Sequence, residues 1–243
     1  MKISKYMNSN TIVIIPTLNE AENIEELTTE ILKKSNVEIF IVDDDSTDGT
    51  EPILNKLKRE NERFDYLIRK KDHGYGKSCL DGFHIAIKNG YEIILTMDAD
   101  LSHPPLKIKE LINKMKDFDI AICSRYIDGG KIETNWSWPR KFLSRFGGSF
   151  AKYLLKIPVN DCTSGFRCYR ASALRKIGYQ NLKSDGYTLL IEILNRAKRK
   201  KLLIKEIPFT YTDRKMGKSK LSKKVIFEAF IYVIKSAIIN KIN

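Results

Sequence analysis

Short hydrophobic runs alternate with amphipathic stretches through the first half of the chain. Five runs rich in aliphatic and β-branched residues predict buried strands: Thr11–Ile15, Val37–Val42, Phe64–Ile68, Ile93–Met97 and Ile120–Cys123. The stretches between them repeat apolar residues every three or four positions and predict helices: Glu20–Lys34, Thr47–Glu60, Lys77–Lys88 and Pro104–Lys116. Continuous apolar strands separated by such helices are typical of an α/β domain whose mostly parallel sheet is covered on both faces.

The second half is less regular, and its last segment is unusually apolar. The pattern there predicts helices at Trp136–Lys156, Tyr187–Arg196 and Val225–Ile239, and a strand at Leu202–Tyr211. The last of these helices is apolar apart from a narrow stripe formed by Lys224, Glu228 and Lys235. Such a helix requires burial against the domain, a partner or a membrane interface.

Positive charge is concentrated near the C-terminus. The 243 residues carry a formal charge of +13, and the segment from Arg196 onward holds 14 lysines and arginines against 3 acidic residues. Such a segment is suited to phosphate groups on a lipid, a ligand or a nucleic acid. No stretch reaches the roughly 20 apolar residues that span a bilayer, and Met1–Asn10 lacks the apolar core of a secretory signal. We therefore expect a cytoplasmic protein with peripheral membrane contact.

Acidic residues directly follow two of the predicted strands. Asp43-Asp44-Asp45 comes after the second strand, and Asp98-Ala99-Asp100 comes after the fourth. The carboxyl ends of parallel strands meet at one edge of the sheet, where α/β proteins bind nucleotides. Paired carboxylates there suit Mg²⁺ or Mn²⁺, which leave coordination positions to water and substrate phosphates. The alternative role for these side chains is helix capping.

These motifs, taken in order, resemble those of family-2 glycosyltransferases with the GT-A fold. Pro16–Glu20, Val42–Thr50 and Asp98–Pro105 carry the likeness to the family. Four later segments resemble its dolichol-phosphate mannose synthase branch: Ser124–Tyr126, Asp161–Arg167, Ser184–Tyr187 and Arg214–Lys220. The resemblance implies a Rossmann-like catalytic domain over residues 1–213. It also implies a basic loop and an amphipathic C-terminal helix over residues 214–243, resting at a membrane interface.

The resemblance also implies an activity, its partners and a metal. The activity is inverting transfer of a sugar, usually mannose from GDP-mannose, to a polyprenyl or dolichyl phosphate, assisted by Mg²⁺ or Mn²⁺. The residues implied to line the nucleotide sugar are Pro16, Asn19, Glu20, Val42, Asp43, Asp45, Asp98, Ala99, Asp100, Arg214 and Lys220. Asp98, Asp100 and Ser102 would bind the metal, although close relatives often have glutamine in place of Ser102. Arg125, Arg140 and Ser144 would hold the acceptor phosphate. Asp98, Asp100, Arg125 and Arg214 would act in catalysis.

Other functions remain open from the residues alone. A related enzyme could add the sugar to a hydroxyl group of a glycan or glycolipid, with Asp185 as the base. The basic C-terminal segment would permit nucleic-acid binding, but acidic strand ends repel a polyanion, so we expect no nucleic-acid partner. A nucleotidyltransferase would need a glycine-rich basic loop near the N-terminus, and the sequence contains none. Gly74–Lys77 lacks the spacing of a phosphate loop and predicts a turn into a helix, while His103 is expected to pack or to cap.

Overall fold

The computed structural model describes residues 9–134, 138–213 and 223–242, with side chains in the ranges 9–134, 147–213 and 227–239. The strands are β1 (Thr11–Thr17), β2 (Glu38–Asp43), β3 (Phe64–Ile68), β4 (Ile93–Thr96), β5 (Ile120–Ser124), β6 (Lys131–Glu133), β7 (Arg167–Arg170), β8 (Ile204–Pro208) and β9 (Thr210–Thr212). The helices are α1 (Ala21–Lys34), α2 (Thr50–Glu60), α3 (Tyr75–Lys88), α4 (Lys107–Lys114), α5 (Trp138–Leu155), α6 (Ala171–Ile177), α7 (Gly186–Arg199) and α8 (Lys223–Ile242).

The main sheet has the strand order β3-β2-β1-β4-β7-β5-β8. All neighbouring pairs are parallel except those of β7, which runs antiparallel to both β4 and β5. The carboxyl ends of β1, β2 and β4 therefore lie at the same edge of the sheet. The predicted α/β fold with a mostly parallel sheet is confirmed, and the elements of the first half agree with the prediction to within three residues.

Alternation along the strands divides the core into two layers, because successive side chains of a strand point to opposite faces. Ile12 and Ile14 of β1 belong to a buried cluster that includes residues of α3, α5 and α7. Val13 and Ile15 belong to the opposite cluster, which includes residues of α1, α2 and α4. Every one of these four side chains is fully buried, so the sheet is covered on both faces, as its continuous apolar runs predict.

Several features of the second half differ from the prediction. The single strand expected at Leu202–Tyr211 is divided at Phe209, so that β8 pairs with β5 in the main sheet and β9 pairs with β6 in a separate two-stranded sheet. Pro208 ends β8 and has no N–H to donate, which favours a break there. The short strand β7 and helix α6 were not predicted at all.

Helix α8 packs against α5 and α7. Val233 is buried in this contact, and the rings of Phe150 and Phe230 stack with their centroids 4.8 Å apart. One side of α8 is therefore buried against the domain, as its apolar sequence requires. Among the described helices, none is long and apolar enough to cross a bilayer.

Candidate active site

A cavity of about 460 Å³ opens at the carboxyl edge of β1, β2 and β4. Loops after these strands form one wall, and the first turns of α3 and α7 form the other. It is lined by Pro16, Thr17, Leu18, Glu20, Asp44, His73, Gly74, Tyr75, Ser78, Asp98, Ala99, Asp100, Gly165, Asp185, Gly186, Tyr187, Leu190 and Glu228. The sequence-based expectation that acidic strand ends share one cleft therefore holds for Glu20, Asp98 and Asp100.

The loop after β4 presents both aspartates to this cavity. Leu101 adopts a φ of 62°, a left-handed conformation that costs a leucine about 1–2 kcal/mol. The turn brings Ser102 back to Asp100, whose Oδ1 accepts hydrogen bonds from the Ser102 N–H (3.1 Å) and hydroxyl (2.6 Å). Ser102 is buried and is not part of the cavity lining. In this arrangement it orients the Asp100 carboxylate from behind.

His103 supports the other aspartate. Its Nδ1 accepts a hydrogen bond from the backbone N–H of Asp98 (3.0 Å), and its Nε2 lies 3.8 Å from Asp98 Oδ2. The imidazole is buried and stacks on Phe166, with centroids 5.0 Å apart. The packing role expected for His103 agrees with these contacts.

The donor set fits a hard divalent cation that is shared with a substrate. Asp98 and Asp100 offer carboxylate oxygens at one cavity wall, and the described residues form no cluster of three or more acidic, histidine or cysteine ligands. Two carboxylates completed by phosphates and water are a common arrangement for Mg²⁺. Gly165 leaves room beside them, because a Cβ at that position would lie only 3.1 Å from Asp98 Oδ1 and 2.7 Å from the Tyr75 hydroxyl.

The ends of β1 and β2 contribute fewer of the expected residues. Pro16 and Glu20 line the cavity. Asn19 instead joins the two loops: its N–H donates to Ser46 Oγ (2.7 Å), and its Oδ1 accepts from the Thr47 N–H (2.8 Å). Val42 is fully buried in β2 beside Pro16. Asn19 and Val42 thus hold the loops and the strand that frame this end of the cavity.

Of the three consecutive aspartates, the middle one faces the cavity. Asp43 is fully buried and accepts hydrogen bonds from the N–H (2.8 Å) and hydroxyl (2.5 Å) of Ser46. Burial and the neighbouring charge of Asp44 raise the pKa of Asp43, although the bonds from Ser46 oppose that rise. Asp45 has a φ of 60° and pairs with Lys70 at 2.7 Å. Neither Asp43 nor Asp45 is among the lining residues.

Asp44 was missed by the sequence analysis, and it organises the opposite wall. Its Oδ2 accepts the Gly74 N–H (2.7 Å), and its Oδ1 accepts from Arg69 Nη1 (2.6 Å) and the Ser78 hydroxyl (2.8 Å). Asp44 and Arg69 are both buried, so this is a desolvated ion pair with its hydrogen bonds satisfied. Asp44 therefore fixes the turn that leads into α3, where the glycine-containing segment was expected to be a turn.

Arg125, expected at the acceptor phosphate, forms a buried ion pair. Its Nε and Nη2 donate to the two oxygens of Asp161, each at 2.7 Å, and Nη2 also donates to Thr163 Oγ1 (2.8 Å). Asp161 is fully buried. Burial would lower the pKa of Arg125, but the charge of Asp161 outweighs that effect and raises it. The guanidinium is thus permanently charged and rigidly held next to the cavity rather than in its lining.

Asp185 lies in the cavity wall and ties two helices together. Its carboxylate accepts hydrogen bonds from the backbone N–H groups of Gly76 in α3 and Gly186 in α7. A Cβ on Gly74 would meet Asp185 Oδ2 at 2.2 Å, so the glycine permits this approach. Asp185 acts as the N-cap of α7 in this geometry.

The structure does not describe the side chains of four predicted site residues. Arg214 and Lys220 lie outside the described residues, and Arg140 and Ser144 belong to α5 in a part whose side chains are not described. Besides Asp44, the sequence analysis also missed Gly165 and Tyr187 as lining residues. Both stood inside motifs that carried the family resemblance, which was the signal that could have found them.

Residues 12–178 match the family described as Glycosyl transferase family 2. The chain is 36% identical over 226 residues to polyprenol monophosphomannose synthase of Mycolicibacterium smegmatis, covering 92% of this chain and 85% of that protein. It is 34% identical to undecaprenyl-phosphate mannosyltransferase of Micrococcus luteus (91% of each chain). It is 38% identical to dolichol-phosphate mannosyltransferase of Pyrococcus furiosus, covering 89% of this chain and 60% of that protein.

Solved structures agree in fold. Glucosyl-3-phosphoglycerate synthase of Mycobacterium tuberculosis, in complex with Mn²⁺, UDP and glucosyl-3-phosphoglycerate, superposes with a TM-score of 0.65 at 17% identity, covering 93% of this chain and 79% of that one. A mannosyltransferase of Pyrobaculum calidifontis in complex with GDP-Man and Mn²⁺ gives a TM-score of 0.63 at 17% identity, covering 94% and 64%. The sequence match over most of the chain, joined to this fold, means that the chain belongs to glycosyl transferase family 2.

Proposed function

We propose that this protein transfers a mannosyl group from GDP-mannose to a polyprenyl phosphate, with a divalent cation held by Asp98 and Asp100. Three relatives at 34–38% identity are named for mannosyl transfer to such lipids or for its product. The observation that carries the proposal is the convergence of Pro16, Glu20, Asp98 and Asp100 on one cavity. Its volume of about 460 Å³ lies within the usual range for sites of small ligands and cofactors.

The acceptor's chemistry means that the reaction needs no general base. A phosphate monoester has a second pKa near ~6 and is already anionic at neutral pH. One of its oxygens supplies the electron pair for the new bond to the anomeric carbon. The bond from that carbon to the diphosphate breaks, and its electron pair leaves with GDP. No proton has to be removed from the nucleophile.

The cation would stabilise the leaving group. Asp98 and Asp100 would hold Mg²⁺ or Mn²⁺, which supplies positive charge to the diphosphate as negative charge develops there. Asp100 is oriented by Ser102, and Asp98 by its contacts with His103. Arg214 and Lys220 remain proposed contacts of the diphosphate. Arg125, Arg140 and Ser144 remain proposed contacts of the acceptor phosphate.

Asp185, the candidate base for a hydroxyl acceptor, has a structural role in this fold. A catalytic base needs an oxygen within reach of the hydroxyl proton. Asp185 Oδ1 accepts hydrogen bonds from two backbone N–H groups, those of Gly76 at the start of α3 and Gly186 at the start of α7. These bonds give Asp185 a structural role at both helix starts.

We propose that α8 contacts the acceptor's lipid chain at a membrane surface. Phe227, Phe230, Ile234 and Ile238 follow one another at helical spacing and are all exposed. Glu228, which lies next to this stripe in the sequence, lines the cavity. The arrangement suits a helix that rests in the headgroup region beside the point where a lipid phosphate would enter. We accordingly propose a peripheral protein of the cytoplasmic membrane face, with residues 1–213 as its catalytic domain.

Replacing apolar residues of this stripe with aspartate should weaken binding of the protein to membranes. Phe227→Asp combined with Ile238→Asp should lower cosedimentation with phosphatidylcholine–phosphatidylglycerol vesicles about tenfold, since each change removes an exposed apolar side chain (64% and 55%) and adds a negative charge. Leu203→Asp is the matched control, because Leu203 is 58% exposed and precedes β8, at the sheet edge opposite the cavity. Equal loss of binding in both variants would argue against a role for the α8 stripe.

Activity itself is tested with a panel of labelled nucleotide sugars and short polyprenyl phosphates, followed by extraction of the lipid. We expect label in the lipid fraction with GDP-mannose, dependent on Mg²⁺ or Mn²⁺. Label found only on an added glycan, or none with any polyprenyl phosphate, would refute the proposal.

A further inference from the structure

Arg125 alone is poorly disposed to hold an anionic headgroup in the cavity. Two of its three nitrogens are engaged with Asp161 and Thr163. Its planar group also lies against two aromatic rings, with the guanidinium carbon 5.2 Å from the centre of Tyr126 and 5.7 Å from that of Tyr211. Arg125 is absent from the cavity lining. A donor in the cavity lining would therefore add to the contacts proposed for Arg125, Arg140 and Ser144.

Tyr187 is a hydrogen-bond donor in the lining of this cavity. It stands in the first turn of α7 and lines the same cavity as Asp98 and Asp100. Desolvation of its phenol raises the pKa of Tyr187 to about 12, with the charge of Asp98 adding to the rise and that of Arg125 opposing it. The hydroxyl is therefore neutral in these surroundings. It keeps its proton at neutral pH and is available as a hydrogen-bond donor.

The start of α7 holds Tyr187 in place. Asp185 accepts hydrogen bonds from Gly76 and Gly186, which attaches this turn to the start of α3. Farther along α7, the Leu190 carbonyl accepts a hydrogen bond from Arg167 Nη1 (2.8 Å). These bonds fix the backbone at the start of α7, while the Tyr187 side chain stays 41% exposed and accessible to a ligand.

We propose that the Tyr187 hydroxyl donates a hydrogen bond to the phosphate of the acceptor lipid, in the cavity that Tyr187 shares with the aspartates of the donor site. This inference rests on the proposed function and adds a residue to it. A neutral donor suits this place, because a third cation would compete with the divalent cation for the two carboxylates. The residue would thus favour a phosphate acceptor over a hydroxyl acceptor.

Tyr187→Phe tests the inference, because it removes the hydroxyl and keeps the ring. With farnesyl phosphate as acceptor and GDP-mannose as donor, KM for the acceptor should rise about tenfold or more, as expected for loss of a hydrogen bond to a charged group. The affinity for GDP with Mn²⁺, measured by titration calorimetry, should stay within about twofold of wild type, since the proposed bond does not involve the nucleotide.

Tyr126→Phe is the matched control. Tyr126 also lies against Arg125 but does not line the cavity, and phenylalanine keeps the ring that faces the guanidinium. Its acceptor KM should match that of wild type. An unchanged acceptor KM in Tyr187→Phe, or an equal loss of GDP affinity, would overturn the role of Tyr187 while leaving the proposed function intact. Wild-type protein that uses no phosphate acceptor would overturn both.

Discussion

Asp98→Ala should lower mannosyl transfer by a factor on the order of 10³ or more, with the fold unchanged. Asp98 is partly exposed at the cavity wall, and the buried His103 Nε2 that would lose its neighbour lies 3.8 Å from Oδ2, beyond hydrogen-bond distance, so we expect little loss of stability. What is lost is a carboxylate that would bind the cation at the leaving diphosphate. Asp100→Ala should behave similarly, with some loss of stability because Ser102 loses its acceptor.

Three measurements check this expectation: the transfer rate, the affinity for Mn²⁺ in the presence of GDP, and the thermal unfolding curve. Asp117→Ala is the control, because Asp117 is an exposed carboxylate that follows α4 and lies outside the cavity lining. Turnover by Asp98→Ala at the level of the control would remove Asp98 from the site.

Arg125→Ala should lower the free energy of unfolding by about 3–5 kcal/mol near neutral pH, because it leaves the fully buried Asp161 without its cation. Urea unfolding of wild type and variant measures the difference. Lys56→Ala, which breaks an exposed pair with Glu25, should cause no measurable change. A comparably small effect of Arg125→Ala would mean that the Asp161 pair contributes little to the fold.

The stability that the Arg125–Asp161 pair contributes should depend on pH. Burial would raise the pKa of Asp161, but the charge and hydrogen bonds of Arg125 outweigh burial and lower it below the ordinary 3.8. A lowered pKa in the folded state means that the pair stabilises the protein above pH 3.8, and that this stabilisation is lost as the pH falls through the folded-state pKa. In Arg125→Ala, protonation of Asp161 relieves the stranded charge. The difference between variant and wild type should therefore shrink near pH 4.

A loss of stability in Arg125→Ala would also affect activity measurements on this variant. Loss of transfer in Arg125→Ala cannot by itself assign the residue to the acceptor, since unfolding alone would reduce activity. The ratio of acceptor KM to GDP affinity in the folded fraction separates the two causes.

The local pattern was sufficient for most strands of the main sheet and for placing Asp98 and Asp100 at its carboxyl edge. Ile93–Thr96 is a continuous apolar strand, and the acids directly after it can only lie at the carboxyl edge of a parallel sheet. The same reasoning could not choose among the aspartates after β2. The strand ends at Asp43 and the chain turns at Asp45, so side-chain alternation no longer tells which of the three faces the cavity.

Contacts between distant segments account for most of what was not predicted. Asp161 is 36 residues from Arg125 in the sequence, and no local signal joins them. Strand β7 has only four residues, Arg-Cys-Tyr-Arg, and its insertion between β4 and β5 depends on pairing with both. Tyr187 enters the cavity because α7 packs near α3, which periodicity within either helix cannot reveal.

The most direct test is diffraction from crystals soaked with GDP and Mn²⁺, recorded at a wavelength where manganese scatters anomalously. The proposal predicts an anomalous peak between the carboxylates of Asp98 and Asp100, in contact with the diphosphate, and the guanosine near Pro16 and Glu20. A peak at another site, or a nucleotide bound away from the ends of β1 and β4, would contradict it.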